Sequence, residues 1–362
     1  MLILQRLTED IEAVENLLTK EIRDANLPGS ITEACYYAVM SGSKNIRPAI
    51  LLNICKGLGG RTEDGLYPAA AIVLLHNSTI VYDDIICKNE IRRNKPSVYS
   101  KFGAAIGMLV ADTLHSLAFK TLLHAKGFSS ETVLAMLQVL SQYSVTCFGG
   151  VAGYLKRQKE NFLILAELND PAEKCKALLE IFSEQDYLET ARIRTGEIFG
   201  AAARLGALAA GASNTCQEEV YQYGVKLGTG FQLVDDGLDF IDGKDLGGKP
   251  SGRELKEGRM NLAVLFCLRT FSKPVFLAKV IGCNNPDRFA LEKALHEIKS
   301  SGALEYNFYR AKKLIDEALT HLEILPPSPY KDILLEFRCE TALNYYGIEN
   351  FLITEDNGSP IH

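Results

Sequence analysis

The strongest chemical pattern in the chain lies at residues 231–239, which read FQLVDDGLD. Asp235, Asp236 and Asp239 stand at i, i+1 and i+4 in a run without proline. In a helix, Asp235 and Asp239 share one face a single turn apart, and Asp236 lies about 100° round from Asp235. Stacked carboxylates repel each other unless a cation sits between them. Hard oxygen donors suit Mg2+, which keeps waters and phosphate oxygens as its remaining ligands. The plainer reading is a solvated acidic face. It fits less well, because Leu233, Val234, Leu238, Phe240 and Ile241 bracket the acids. Charge kept inside an apolar helix needs a counter-ion.

The basic residues gather near segment ends. Lys44 and Arg47 precede Pro48, and Arg92, Arg93 and Lys95 follow a long apolar segment. Arg194 precedes Thr195, while Lys244, Lys249, Arg253, Lys256 and Arg259 follow the acidic stretch. Each cluster alone reads as ordinary surface. Four of them beside paired carboxylates point to a polyanion held by metal and cations together. A diphosphate is the natural candidate, since Arg forks and Lys point charges suit phosphate oxygens.

The elements that must carry these residues are helical. Almost every long segment has a 3.6-residue apolar period, and none alternates convincingly with period 2. The pattern predicts helices over 4–23, 31–41, 49–58, 66–90, 106–123, 130–148, 170–182, 185–210, 217–240, 261–268, 287–300, 303–322 and 329–346. Residues 154–169, charged and then apolar, read either as a helix or as an exposed insertion. No repeat or low-complexity linker divides the chain, so one all-α domain is expected over 1–350, with a frayed tail at 351–362.

Composition bounds the function. The 362 residues are 47% hydrophobic and 23% charged, with net charge −6, pI near 5.7 and mean hydropathy +0.01. That is ample for a large core, and it lacks the basic face of a nucleic-acid binder. The N-terminus does not resemble a signal peptide. Uninterrupted apolar runs such as 69–76 fall far short of the roughly 20 residues that span a bilayer, so no transmembrane segment is expected. Nine cysteines without a CxxC pair fit free thiols in a reducing cytoplasm better than a disulfide framework. Cys35, Cys55, Cys147 and Cys267 read as small core residues.

In order along the chain, these motifs resemble those of the trans-isoprenyl diphosphate synthases, which have the class I terpenoid-synthase fold. Gly42-Ser-Lys44-Asn-Ile-Arg47-Pro48 is similar to the family's GGKxxRP segment. His76, then Tyr82-Asp83-Asp84-Ile-Ile-Cys87 and Arg92-Arg93-Asn-Lys-Pro96, resemble the first aspartate-rich region and its basic tail. Arg194-Thr195 stands where the family has Lys-Thr, and 230–239 closely resembles the second aspartate-rich region, followed by Lys249 and Arg259. The resemblance implies a helical bundle around a central cavity, a homodimer, and three Mg2+ ions held on an allylic prenyl diphosphate by Asp83, Asp84, Asp235, Asp236 and Asp239. It implies that Lys44, Arg47, His76 and Arg93 hold isopentenyl diphosphate, and that Arg92, Arg194, Lys249 and Arg259 hold the allylic diphosphate. Thr195 and Gln232 would sit beside the reacting carbons. Ionisation of the allylic C–O bond requires charge neutralisation on the leaving diphosphate, and the resulting cation must meet no water.

The chain departs from the family pattern at its first aspartate region. The third acid is replaced by Cys87 in the short register and by Asn89 in the long one. A thiol is a soft, weakly acidic ligand and a poor Mg2+ partner. Glu90, at i+7 from Asp83, is expected on the same helical face, within reach of a metal-bound water. Asn94 replaces the usual Gly, and Asn261 and Ala263 replace the usual Thr and Pro after the second basic tail. Three activities therefore compete: a chain-elongating prenyltransferase, a terpene synthase or prenyltransferase to another acceptor, and a non-catalytic partner subunit. The intact second region favours the first. Thr79 and Ser78, four and five residues before Asp83, are small where short-chain relatives carry an aromatic. Products of twenty carbons or more are expected, unless Phe119 on a facing helix plugs the cavity.

Overall fold

The computed structural model describes residues 8–42, 45–241, 252, 255, 258–283, 286–339 and 343, with the backbone alone at 157–158 and 160–166. The expected tail at 351–362, Lys44 and Lys249 lie outside the described residues. The chain forms helices α1 (Thr8–Asp24), α2 (Gly29–Met40), α3 (Ile46–Gly57) and α4 (Thr62–Ile86). A two-strand hairpin follows, β1 (Ile91–Arg92) and β2 (Lys95–Pro96), then α5 (Val98–Phe102), α6 (Ala104–Leu123), α7 (Ser130–Glu167), α8 (Pro171–Ile181) and α9 (Glu184–Ala191). A π-helical turn at Arg192–Gly196 leads into α10 (Glu197–Ala209) and α11 (Asn214–Leu238). Next come α12 (Leu262–Thr270), α13 (Val275–Val280), α14 (Arg288–Ser300), α15 (Ala303–Thr320), a 3-10 turn at His321–Ile324 and α16 (Pro329–Leu335). The all-α expectation is borne out: the only strands among the described residues are the two-residue pair.

Two compact units divide the contacts. The first comprises Met1–Val145, Ile198–Val225 and Ala318–Glu336. Its centre is α4, apolar nearly all round, which packs on α3 and α6. A helix of that composition is stable only when enclosed, and residues 69–75 are buried without a break. Asp64 starts α4 by accepting the Arg61 backbone N–H at 2.9 Å. Small residues bring helices backbone to backbone. A Cβ on Gly206 of α10 would stand 2.4 Å from the Leu51 carbonyl of α3, and one on Gly224 of α11 the same distance from the Phe199 carbonyl of α10.

The second unit comprises Thr146–Glu197, Lys226–Glu317 and Phe337–His362. Several of its helices start on side-chain caps. Asp170 accepts from the Ala172 N–H at 3.2 Å, Ser183 from Asp186 at 3.1 Å, and Asp287 from Ala290 at 2.8 Å. Each cap satisfies a donor that the first turn leaves open. Buried Glu297 serves the short helix α13, accepting from the backbone N–H groups of Phe276 at 3.2 Å and Leu277 at 2.8 Å.

Of the stretch 154–169, residues 154–167 are helix, since α7 continues without interruption to Glu167. Apolar runs understate the helices' hydropathy. Averaged over eighteen residues, Thr62–Ile86, Ala104–Leu123 and Ser130–Lys156 are long and apolar enough, by length and composition, to cross a membrane.

Candidate active site

In the first unit, α4 delivers Asp83 and Asp84 in its last turn, in two different environments. Asp84 is 2% exposed and Asp83 36%. Arg92 Nε donates to Asp84 Oδ1 at 3.0 Å, and its Nη2 donates to Asp84 Oδ1 and, at 3.2 Å, to Asp83 Oδ2. Asn89 Nδ2 adds a bond to Asp84 Oδ1 at 3.1 Å. Burial pulls the Arg92 pKa down, but the bonds to Asp84 and Asp83 outweigh it and hold the guanidinium above its ordinary value. The hairpin makes this reach possible. Arg93 and Asn94 form its two-residue turn with φ of 52° and 60°, as a primed hairpin turn requires. Asn tolerates that left-handed conformation, so Asn94 keeps the turn where the resemblance has Gly.

Cys87 Sγ lies 3.8 Å from Asp83 Oδ1, the one-turn relation expected of the missing acid. Glu90 requires a correction. Helix α4 ends at Ile86 and Lys88 turns out at φ 53°, so Glu90 leaves the helical face of Asp83. It stands exposed at the start of the hairpin, its carbonyl accepting from Ser97 N at 2.8 Å.

Beside this region the first unit gathers basic groups from three elements. Arg47, in the first turn of α3, stacks over the Phe199 ring at 4.7 Å. Its Nε is enclosed, with no hydrogen-bond partner among the described residues. Burial lowers Arg47 to about 10; Tyr143 opposes the shift and Arg93 adds to it. Burial holds His76 well below its ordinary value, with further lowering by Arg47, Arg93 and Arg92. Like charges brought together disfavour one another, and a bound anion would relieve the strain. His76, Thr79, Ile80 and Asp83, spaced i, i+3, i+4 and i+7, are partly accessible, whereas Leu75, Asn77, Ser78 and Val81 are buried. Of the two small residues before Asp83, Thr79 therefore shares the accessible stripe. Ser78 is enclosed, and its Oγ has no partner among the described residues.

In the second unit, Asp235 is exposed, Asp236 is buried, and Asp239 is half-buried just beyond the end of α11. The stretch predicted as one helix over 185–210 contains the π-helical turn at Arg192–Gly196. Such turns insert a residue and re-aim the side chains they carry, here Arg194 and Thr195. Thr195 Oγ1 donates to Gln232 Oε1. Gln232 Nε2 donates to Asp236 Oδ1 at 2.6 Å, and the Tyr187 hydroxyl donates to Asp236 Oδ2 at 2.7 Å. Tyr187, Thr190, Arg194, Asp236, Arg259 and Tyr154 line a cavity of about 100 Å3. Asn261, at its edge, caps α12 by accepting from Val264 N at 3.0 Å; that accounts for an Asn where the resemblance has Thr.

Among the described residues, no three His, Cys, Asp or Glu side chains form a ready cation site. The donor chemistry still fits Mg2+ at Asp83 and Asp235, hard carboxylates that solvent reaches. It does not fit at the Cys87 thiol. Sequence reasoning missed Tyr187 and the structural use of Asn89. The available signal for Tyr187 was its position seven residues before Arg194, on one helical face.

A sequence model of the polyprenyl synthetase family matches residues 28–298. The chain is 32% identical to a geranylgeranyl diphosphate synthase of Methanosarcina mazei, over 87% of this chain and 90% of that protein. It is 30% identical to the octaprenyl diphosphate synthase of Escherichia coli, over 84% of this chain and 87% of that one. The solved geranylgeranyl pyrophosphate synthetase of Pyrococcus horikoshii has a similar structure, with TM-score 0.79 at 26% identity, covering 96% of this chain and 98% of that one.

Proposed function

The chain belongs to the polyprenyl synthetase family, and from that premise we propose that it condenses an allylic prenyl diphosphate with isopentenyl diphosphate. The product is a trans-prenyl diphosphate of twenty carbons or more, the class that its relatives' names describe. The observation that carries this reading is the basic cluster of Arg47, Arg93 and the neutral His76. A terpene synthase has no need of a second diphosphate site, whereas an elongating enzyme must hold two. The enclosed Arg47 Nε offers such a diphosphate an unused donor, and Lys44 joins the set by resemblance.

The reaction is metal-dependent in this reading. By resemblance, Asp83 and Asp84 in one region and Asp235, Asp236 and Asp239 in the other would hold Mg2+, which would supply charge neutralisation on the leaving diphosphate. By the same resemblance, Arg92, Arg194, Lys249 and Arg259 would hold that diphosphate. Thr195 and Gln232 face the reacting carbons, and His76, neutral when unliganded, gains a reason to take a proton once an anion arrives. Nine free thiols support a reducing, cytoplasmic location. The exposed apolar side chains of Met108, Leu109, Leu134 and Val145 support a homodimer.

The test is incubation with Mg2+ and geranyl, farnesyl or geranylgeranyl diphosphate, with and without isopentenyl diphosphate, followed by product analysis. Longer diphosphates that form only with isopentenyl diphosphate are expected. Hydrocarbons or alcohols formed without it, or no turnover at all, would refute the proposal.

A further inference from the structure

Both oxygens of Asp236 accept hydrogen bonds, Oδ2 from Tyr187 at 2.7 Å and Oδ1 from Gln232 at 2.6 Å. A carboxylate only accepts, so the Gln232 amide must turn its NH2 towards Asp236 and its carbonyl oxygen towards Thr195. A carbonyl oxygen also only accepts, so the Thr195 hydroxyl must give its proton to Gln232. The polarity of each group is thus set by the one before it. At the end of the chain, the Thr195 oxygen is left with its lone pairs directed away from Gln232, the orientation that stabilises positive charge on a neighbouring carbon. Tyr187 is the fixed end of this chain. It is 8% exposed and Asp236 6%, and the phenol comes from α9, a helix held by the Ser183–Asp186 capping box.

We propose that Tyr187 is a positioning residue: by pinning Asp236 it fixes the Gln232 amide, and through it the hydroxyl polarity of Thr195. The inference rests on the elongation reading above. Nothing in it requires Tyr187 to touch substrate. Its removal should therefore slow the chemical step without weakening either diphosphate's binding.

The experiment compares wild type, Tyr187→Phe, Thr195→Val and the double variant in steady-state elongation of farnesyl diphosphate with isopentenyl diphosphate, with thermal melts of each protein. Tyr187→Phe should lower kcat about tenfold and leave both KM values within about twofold, the split expected when only transition-state stabilisation is lost. In the Thr195→Val background the phenol's removal should lower kcat by less than about twofold, because residues acting in one chain are not additive. A merely structural tyrosine gives equal losses in both backgrounds, and that result overturns the proposal. So does a Tyr187→Phe enzyme with kcat within about twofold of wild type. Should Tyr187→Phe fail to fold, Tyr187→Met replaces it: the adaptable thioether fills the ring's space and lacks the hydroxyl that Asp236 accepts from, so the same split and the same non-additivity are expected. Wild type that elongates nothing refutes the function and the positioning role together, whereas wild-type turnover with additive losses refutes the role alone.

Discussion

Replacing Arg92 with Met should cost more stability than a surface ion pair could explain. The side chain is about a quarter exposed, but its partner Asp84 is almost wholly enclosed. Methionine keeps much of the stem's volume and removes the fork. Asp84 then retains Asn89 Nδ2 as its remaining side-chain donor among the described residues. Leaving one member of a buried pair uncompensated costs about 3–5 kcal/mol, and the partial exposure of Arg92 argues for about 3 kcal/mol. Melting should fall by roughly 5–10 °C on the scale typical of large domains. Melts of wild type, Arg92→Met, Asp84→Asn and the double variant make the test. The double variant should recover most of the loss, since no charge is left buried. A double variant as unstable as the summed singles, or an Arg92→Met protein within about 1 kcal/mol of wild type, would refute the bracing role.

His76, held neutral chiefly by burial, should make stability fall with acidity, because the unfolded chain takes up a proton below its ordinary pKa of 6.5 while the folded chain does not. The slope approaches about 1.4 kcal/mol per pH unit, and urea unfolding of His76→Gln between pH 6.5 and 5 should show it flattened. Cys87→Asp restores a hard donor one turn from Asp83 and should lower the Mg2+ concentration for half-maximal elongation; an unchanged titration would mean the thiol's position plays no part in metal loading. Thr79→Phe should shorten the product by at least one isoprene unit, because Thr79 lies on the accessible stripe with Asp83, whereas Ser78→Phe should chiefly cost about 1–3 kcal/mol of overpacking. Equal shortening by both changes, in product analysis, would show that burial in the unliganded protein does not predict the channel wall.

What the sequence made legible was periodicity, and its errors follow from where periodicity ends. The segment expected as one helix runs to residue 90, with polar groups concentrated at its C-terminal end, but the chain leaves the helix after Ile86 because Lys88 adopts a left-handed conformation. No composition signal marks that turn, and the inference about Glu90 fell with it. A π-helical turn is equally silent. It adds one residue between two stretches that each keep a 3.6-residue period, so 185–210 read as a single helix. The second aspartate region was legible in detail because its three acids sit within five residues. The basic cluster was not legible from spacing at all. Arg47, His76 and Arg93 come from α3, α4 and the hairpin turn, and only the family resemblance grouped them before the structure did.

The two aspartate regions, in different units and with unrelated neighbours, share one division of labour. In each, the first acid reaches solvent and the second is buried between donors: Arg92 and Asn89 around Asp84, Tyr187 and Gln232 around Asp236. Adjacent residues on a helix point about 100° apart, so an acidic pair cannot present both carboxylates to one ion with equal ease. One faces outward and the other faces its own scaffold. A buried carboxylate with strong donors is a rigid anchor, which fixes the helix end that carries its exposed neighbour. This also explains why a first region can lose its third acid to Cys87 without losing its shape. The thiol removes a hard ligand from the accessible face, while Asp84, Arg92 and Asn89 hold the backbone of Asp83 in place from behind.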